Sequence, residues 1–254
     1  MNILQIHKYY WHRDGASNHV LDISALLAEA GHAVVPFAMR EQKTLQSVYA
    51  PYFVSEKDLS NPGAHGLLQK MCIAGSMLYS HEAKQKISRL LRDVELRHVS
   101  EDSVGSTGID VAHVHNIYHH ITPSIFPVLR KKKIPIVMTL HDYKLISQNY
   151  TRFHHGAVHE EDARGWYMSC VKNTCMKDSR AQSALVTAEM IYHHKIMQYY
   201  ERYVDRFIAP SEFIMEKCIE FGWPREKFVH IAHPVSARLQ LGQSGEVSKR
   251  KNVG

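Results

Sequence analysis

The sequence predicts an α/β protein built on a doubly wound, mainly parallel sheet flanked by helices, and three observations carry that prediction. Short apolar runs suited to buried strands alternate with segments of helical period. The joints between them are short, and strand–helix–strand units with short joints wind a parallel sheet by right-handed crossovers. The composition is that of a soluble globular protein, 44% apolar and 22% charged over 254 residues, a length that suits one large domain or one and a fraction.

"NILQIH" opens the chain as a short buried strand. From Ala16 to Ala30 the period changes, with Val20, Ile23, Leu26, Leu27 and Ala30 spaced for one helical face and Gly31 as the stop. Ala33 to Phe37 is a second strand, and Pro36 marks either its end or an edge position. The polar, Pro-containing stretch to about Gly66 yields no element. Leu67 to Leu96 is rich in helix, with an apolar stripe of Ile87, Leu90, Leu91 and Val94.

Asp110 to His115 is a strand, "TPSIFPVLRKK" a helix opened by Thr122 with Pro123 at its first position, and Pro135 to His141 another strand. Residues 142–181 break the rhythm and are expected to form an elaborated loop beside the strand end before them. A long amphipathic helix is expected from Ser183 to Val204, carrying Leu185, Ala188, Ile191, Ile196, Tyr199 and Tyr203. The strand "RFIAP", a helix capped by Ser211 and closed by Gly222, and the strand "KFVHIAHP" follow. Residues 1–235 make the expected domain. The polar segment 236–254 reads as a linker.

No run reaches the ~18 to 20 apolar residues of a membrane helix, and the N-terminus turns polar too early for a secretory signal, so the cytoplasm is the expected compartment. Four cysteines, Cys72, Cys170, Cys175 and Cys218, are too few and scattered for a disulfide framework and read as thiols. The formal charge of +6 and a pI near 9.0 suit an anionic partner, a phosphorylated ligand or a lipid surface. The basic runs at Arg130–Lys133 and Lys249–Lys251 read as a solvated helix end and tail. The 19 histidines include adjacent pairs, whose members diverge in direction and make no chelating face by themselves.

In a doubly wound sheet, ligands bind outside the carboxyl ends of the strands. That places His7 to Gly15, His115 with Asn116, His141 with Asp142, and Pro210 with Ser211 on one list of candidates. A dinucleotide fold would need G-x-G-x-x-G and an acidic residue ending the second strand; one Gly and Phe37 stand there instead. Gly15 either lets ligand oxygens approach the helix N-terminus or is a turn and cap residue. His141 and Asp142 either contact a sugar hydroxyl or phosphate or form a loop satisfied by backbone. A Ser-His-Asp hydrolase is disfavoured because no G-x-S-x-G elbow exists. A zinc site drawn from Cys170, Cys175, His154, His155 and His159 is a minor alternative, since C-x4-C is a loose spacing.

The segments "MNILQIHKYYWHRDGASNHVLDISALLAEAGHAVVPFAM", "LYSHEAKQKISRLL", "DVAHVHNIYHHITPSIFPVLRKKKIPIVMTLHDYKLIS" and "YERYVDRFIAPSEFIMEKCIEFG" resemble the N-terminal half of family 4 glycosyltransferases, from Met1 to about Val235. The resemblance implies one Rossmann-like half of a GT-B fold, and retaining transfer of a sugar from a nucleotide-sugar donor to a glycan or lipid-linked acceptor. It implies no cofactor and no metal, and neither the resemblance nor the composition suggests a nucleic-acid partner. By motif position, Gly15 and Ala16 match the loop near the donor phosphate and His141 the cleft histidine at the transferred sugar. His115, Asn116 and Asp142 line the cleft, and Ser211 starts a helix beside it.

The sequence departs from the pattern at Ala16, where the family often has a second Gly, and at Ser147 and Gln148, where it has Cys and Pro. Family cysteines near Val158 to Ala163 are also missing, which implies that any metal or disulfide role of that loop is lost. The resemblance stops about where a donor-binding domain begins, so the chain is expected to be truncated before that domain, inactive alone, and dependent on a separate donor half. It is also expected to sit peripherally at the inner membrane face. The alternative is a non-catalytic module that binds a sugar, a glycolipid or a partner.

Overall fold

Six strands lie side by side, every neighbouring pair parallel: β1 (Asn2–Ile6), β2 (Ala33–Phe37), β5 (Val111–Val114), β6 (Ile136–Thr139), β9 (Arg206–Ala209) and β10 (Phe228–His230), in the order β10-β9-β6-β5-β1-β2. The computed structural model describes residues 1–57, 66–100, 108–160 and 167–234. The expected linker at 236–254, with Lys249–Lys251 in it, lies outside the described residues, as do residues 161–163 of the stretch that lacks the family cysteines.

After β1 the chain builds outward through β2, continues past Ala38 into β3 (Met39–Arg40), and pairs that extension with β4 (Val54–Ser55), whose Val54 N–H donates to the Ala38 carbonyl at 2.9 Å. It then returns to the other side of β1 and lays down β5, β6, β9 and β10 in turn. The direction of winding therefore reverses between β1 and β5, and the crevice outside their carboxyl ends is where such a sheet accepts a ligand.

Strands buried on both faces must be apolar almost throughout. Leu4, Ile6, Phe37, Ala112, Val114, Ile136, Phe207 and Ala209 are fully buried accordingly. The helices α1 (Gly15–Glu29), α2 (Leu67–Leu78), α3 (His81–Ser100) and α4 (Phe126–Lys131) fall between strands in the chain. Ile87, Leu90, Leu91 and Val94 of α3 enter the core as their spacing predicts, whereas α1 buries only Ser17 and Val20 and leaves Leu26 46% exposed. The α1 N-terminus is capped by Asp14, which accepts from both the Ser17 N–H and its hydroxyl at 2.8 Å. Gly31 stops the helix at φ +82°, a conformation that favours glycine. Pro36 lies in β2, the edge strand of the six, where its missing N–H breaks no ladder.

The helix expected after Thr122 divides into a 3-10 turn at Pro123–Ile125 and the six-residue α4. The 142–181 region carries a hairpin of β7 (Phe153–His154) and β8 (Ala157–Val158), the short helix α5 (Met168–Lys172) and a disulfide between Cys170 and Cys175. That bond corrects the expectation of four thiols and of a lost disulfide; Cys72 and Cys218 alone are thiols. A pair only five residues apart closes a local loop that a rule about scattered cysteines overlooks.

The long helix expected at 183–204 is also corrected. It consists of α6 (Arg180–Met190), a π-helical turn at Ile191–Ile196, and α7 (Tyr199–Tyr203) entered through Gln198 at φ +51°. The Met197 N–H reaches back five residues to the Tyr192 carbonyl, and His193 Nε2 donates to the Leu78 carbonyl at 2.8 Å. Buried His193 and His194 thus take inward positions, and Ile196, expected on the apolar stripe, is 62% exposed. Tyr199 returns to the core. The last helix, α8 (Glu212–Glu220), is capped by Ser211 Oγ accepting from the Ile214 N–H at 3.3 Å, with Gly222 beyond it at φ +92°.

The completely buried Glu189 of α6 forms an ion pair with Lys144 at 2.9 Å and lies 3.3 Å from His119. Burial pushes its carboxyl pKa up, but His119 and Lys144 outweigh that and hold it well below the ordinary carboxylate range. The pair ties the loop after β6 to α6. Glu189→Ala leaves a buried ammonium without its counter-ion and is expected to lower unfolding free energy by about 3–5 kcal/mol. Urea denaturation checks this, and an unchanged midpoint would show that the pair does not hold the two elements together.

Candidate functional site

Gln5 sits in β1 directly opposite His113 of β5 and is only 2% exposed, so both ends of its amide must find partners inside the protein. Its Oε1 accepts from His115 Nε2 at 2.9 Å, and its Nε2 donates to His113 Nδ1 at 3.3 Å. His113 in turn donates from Nε2 to Thr139 Oγ1 at 2.7 Å. With Nε2–H of His115 committed to Gln5, Nδ1 carries the lone pair, and it accepts from His141 Nε2 at 2.9 Å. His141 Nδ1 is then the acceptor nitrogen of its ring. The result is a hydrogen-bonded line from Thr139 through His113, Gln5 and His115 to His141.

His19 completes the group from α1, four residues and so one turn beyond Gly15 on the same helix face. Its ring centroid is 5.2 Å from that of His141 and 5.8 Å from that of His115, while His233, beyond β10, lies 4.0 Å from His19 and 5.1 Å from His141. Burial, followed by the neighbouring imidazoles, holds His115 well below its ordinary pKa and takes His141 down to about 2. Burial and His233 take His19 to about 4. The floor of the site is therefore neutral near pH 7.

Charge lies around that floor. The Asp142 carboxylate accepts from Asn116 Nδ2 at 3.2 Å, from the Tyr118 hydroxyl and from the Lys144 N–H at 2.9 Å, and its described bonds do not include His141. Lys8 Nζ stands 4.2 Å above the Tyr118 ring, its pKa lowered to about 8 chiefly by burial. Arg13 lies 4.0 Å over Tyr9. His7, at the end of β1, meets Ser17 Oγ at 3.4 Å and so anchors the start of α1 to the strand.

Of the residues expected from the sequence, His115 and His141 are in direct contact, and Asn116 and Asp142 form a second contact beside them. Gly15 is exposed and Ala16 half-buried at the start of the helix that delivers His19. A Cβ added at Gly15 would meet nothing within 4 Å, so nothing in the protein itself demands glycine there. Ser211 spends its hydroxyl on the α8 cap. Sequence reasoning missed Gln5, His19, Tyr118 and His233. The signal available for His19 was its place one turn beyond Gly15.

His19, His115 and His141 bring one nitrogen each within 4.8 Å of one another, the group among the described residues arranged to hold a metal ion. The alternative set around Cys170 and Cys175 has its sulfurs joined to each other. A groove of about 520 Å³, lined by Tyr167, His194, Phe221, Trp223 and Lys227 among others, contains none of the expected residues.

Residues 13–238 match the sequence pattern described as Glycosyltransferase Family 4. The chain belongs to that family. No curated protein matches this family 4 chain in sequence. Among solved structures it is similar to a UDP-N-acetylglucosamine 2-epimerase from Rickettsia bellii, at 11% identity and a TM-score of 0.43, covering 96% of this chain and 47% of the epimerase. It is also similar to Medicago truncatula UGT71G1 complexed with UDP-glucose (10%, 0.42, 91% and 50%) and to a transferase from Siraitia grosvenorii in complex with UDP (9%, 0.43, 96% and 51%). The chain spans about half the length of these structures. No helix among its described residues is long and apolar enough to cross a membrane.

Buried imidazoles outside the cluster give this chain a definite pH response. Burial, then His119, takes His120 down to about 3, and burial takes His193 to about 4, from the ordinary histidine value of 6.5. Below pH 6.5 the unfolded chain binds more protons than the folded one, so stability is full above that pH and falls as pH drops toward 4. Between pH 6.5 and 5 each group removes up to about 2 kcal/mol. The urea midpoint is expected to fall clearly from pH 7 to pH 5; equal midpoints would mean that these rings are not held neutral.

Proposed function

We propose that the chain is the acceptor-side half of a retaining glycosyltransferase that moves a sugar from a nucleotide-sugar donor to a glycan or lipid-linked acceptor. Family membership supports sugar transfer. The single observation that carries the assignment of the site is His141 at the carboxyl end of β6, neutral and oriented by His115, with Nδ1 as the acceptor for a ligand hydroxyl. In this scheme His141 bonds the sugar being transferred. His115 and Gln5 hold its ring, and Asn116 and Asp142 with Tyr118 shape the neighbouring wall.

Gly15 and Ala16 face the donor in this scheme. An exposed glycine with open space around it allows ligand oxygens to approach the backbone, which a methyl group would obstruct. The chemical step uses no metal, because the donor's diphosphate charge is met by cationic side chains and closure of the cleft excludes water. In this scheme a donor-binding half supplies the second wall of that cleft, and turnover requires both walls. The charge of +6 supports peripheral docking on anionic lipid at the inner membrane face, an attraction that salt weakens.

Two substitutions test the scheme in the enzyme assembled with its donor half. His141→Ala is expected to lower kcat by about two orders of magnitude or more, the scale of losing a positioned polar group at a reacting centre. Near-normal turnover would remove His141 from the chemistry. Gly15→Ala is expected to leave the melting temperature unchanged or slightly raised, since Ala is the better helix former by up to about 1 kcal/mol, while transfer falls. A loss of stability instead would make Gly15 a structural turn residue. Transfer by the chain alone, above background, would overturn the two-half arrangement.

A further inference from the structure

We propose that His19, His115 and His141 bind a divalent late first-row transition ion of the Zn2+ class, with one coordination position left open. The inference rests on the arrangement of the three rings and not on the proposed function. Their nitrogens lie within 4.8 Å of one another, and the His115 Nδ1 to His141 Nε2 separation is 2.9 Å. Two imidazole nitrogens about 2.0–2.1 Å from a tetrahedral zinc stand about 3.3 Å apart. The His115–His141 separation is therefore already close to that spacing, and His19 stands within reach of both.

The ligands come from three elements that the fold fixes independently. His115 and His141 follow β5 and β6, neighbours in the middle of the sheet, and His19 rides on α1, whose start is anchored to β1 through Ser17 and His7. Gln5 supplies what a ligating histidine requires behind it, an acceptor for the ring N–H that the metal does not use. With that proton on Nε2, His115 Nδ1 presents its lone pair to the cluster. Thr139 and His113 hold the next link of the same line.

Binding conserves protons. The His141 proton moves from Nε2 to Nδ1, the 2.9 Å hydrogen bond between the two rings is replaced by two metal–nitrogen bonds, and a water fills the open position. The donor set selects the class of ion: three imidazoles suit Zn2+, Cu2+ or Ni2+, whereas Mg2+ and Ca2+ require oxygen ligands, which the set lacks. Because the metal would hold His141, metal and transferred sugar exclude one another, a consequence that does rest on the proposed function and that the binding test leaves aside.

The test uses the full chain without a histidine tag, stripped of metal and dialysed against Zn2+, with Co2+ absorption as an independent report on coordination. One Zn2+ per chain is expected. His19→Ala, a half-buried helix position whose folding is checked by circular dichroism, is expected to abolish it. Gln5→Leu is expected to weaken binding about 10- to 100-fold, as loss of such supporting partners does. His12→Ala and the His154→Ala/His159→Ala pair are expected to bind as the parent does. Zn2+ uptake that is absent, that survives His19→Ala, or that is lost only in the His154/His159 variant overturns the site.

Discussion

A carboxamide buried in the middle of a parallel sheet is the constraint on which the rest of this site depends. Gln5 lies one residue from the end of β1, in a largely apolar sheet, and an unmet buried amide costs about 1–3 kcal/mol. Its partners come from the next strand. Successive side chains on a strand alternate faces, so His113 and His115 lie on one face and reach the two ends of a single amide. Thr139 and His141, spaced the same way on and after β6, take up the two histidines in turn. Three adjacent strands thus carry one polar ladder across the sheet, and its last member points the chemistry toward the carboxyl ends.

The same burial that makes the ladder necessary sets its electrostatics. Packed imidazoles cannot all carry protons, so desolvation and mutual repulsion keep the floor neutral, and charge is left to the surroundings: Lys8 and Arg13 over Tyr118 and Tyr9, and Asp142 gripped by Asn116 and Tyr118. Beneath the loop after β6, the Lys144–Glu189 pair joins that loop to α6. A neutral floor with cations at its edge suits hydroxyl recognition in the centre and anion recognition at the side.

Strands, caps and stops were legible in the sequence because they are local: the apolar periods of α3, the Ser211 cap, Gly31 and Gly222, and Pro36 on an edge strand all appear where their chemistry predicts. The interruption of the 183–204 helix was not legible, because it depends on His193 reaching the distant Leu78 carbonyl. The Cys170–Cys175 bond was not legible, because a C-x4-C spacing fits metal ligands, free thiols and a local disulfide alike, and only the folded loop brings the two sulfurs together. The histidine cluster escaped for a related reason. Ligand-spacing rules examine neighbours in sequence, whereas residues 19, 115 and 141 meet only because β5 and β6 are adjacent and α1 starts beside them.

The start of α1 shows how such local and global features interact. A helix N-terminus carries about half a positive charge, which by itself favours a phosphate. Here the Asp14 carboxylate already occupies that end. Burial raises its pKa, but the Ser17 amide and hydroxyl outweigh burial and lower it, so it is ionised at neutral pH. Its full negative charge more than offsets the helix end, and a phosphate brought to Gly15 meets net repulsion unless cations compensate. Arg13 and Lys8, flanking the same loop, are the cations on this side. The loop after β1 is therefore suited to a phosphate only through its side chains, and through its exposed glycine backbone it is suited to an uncharged hydroxyl.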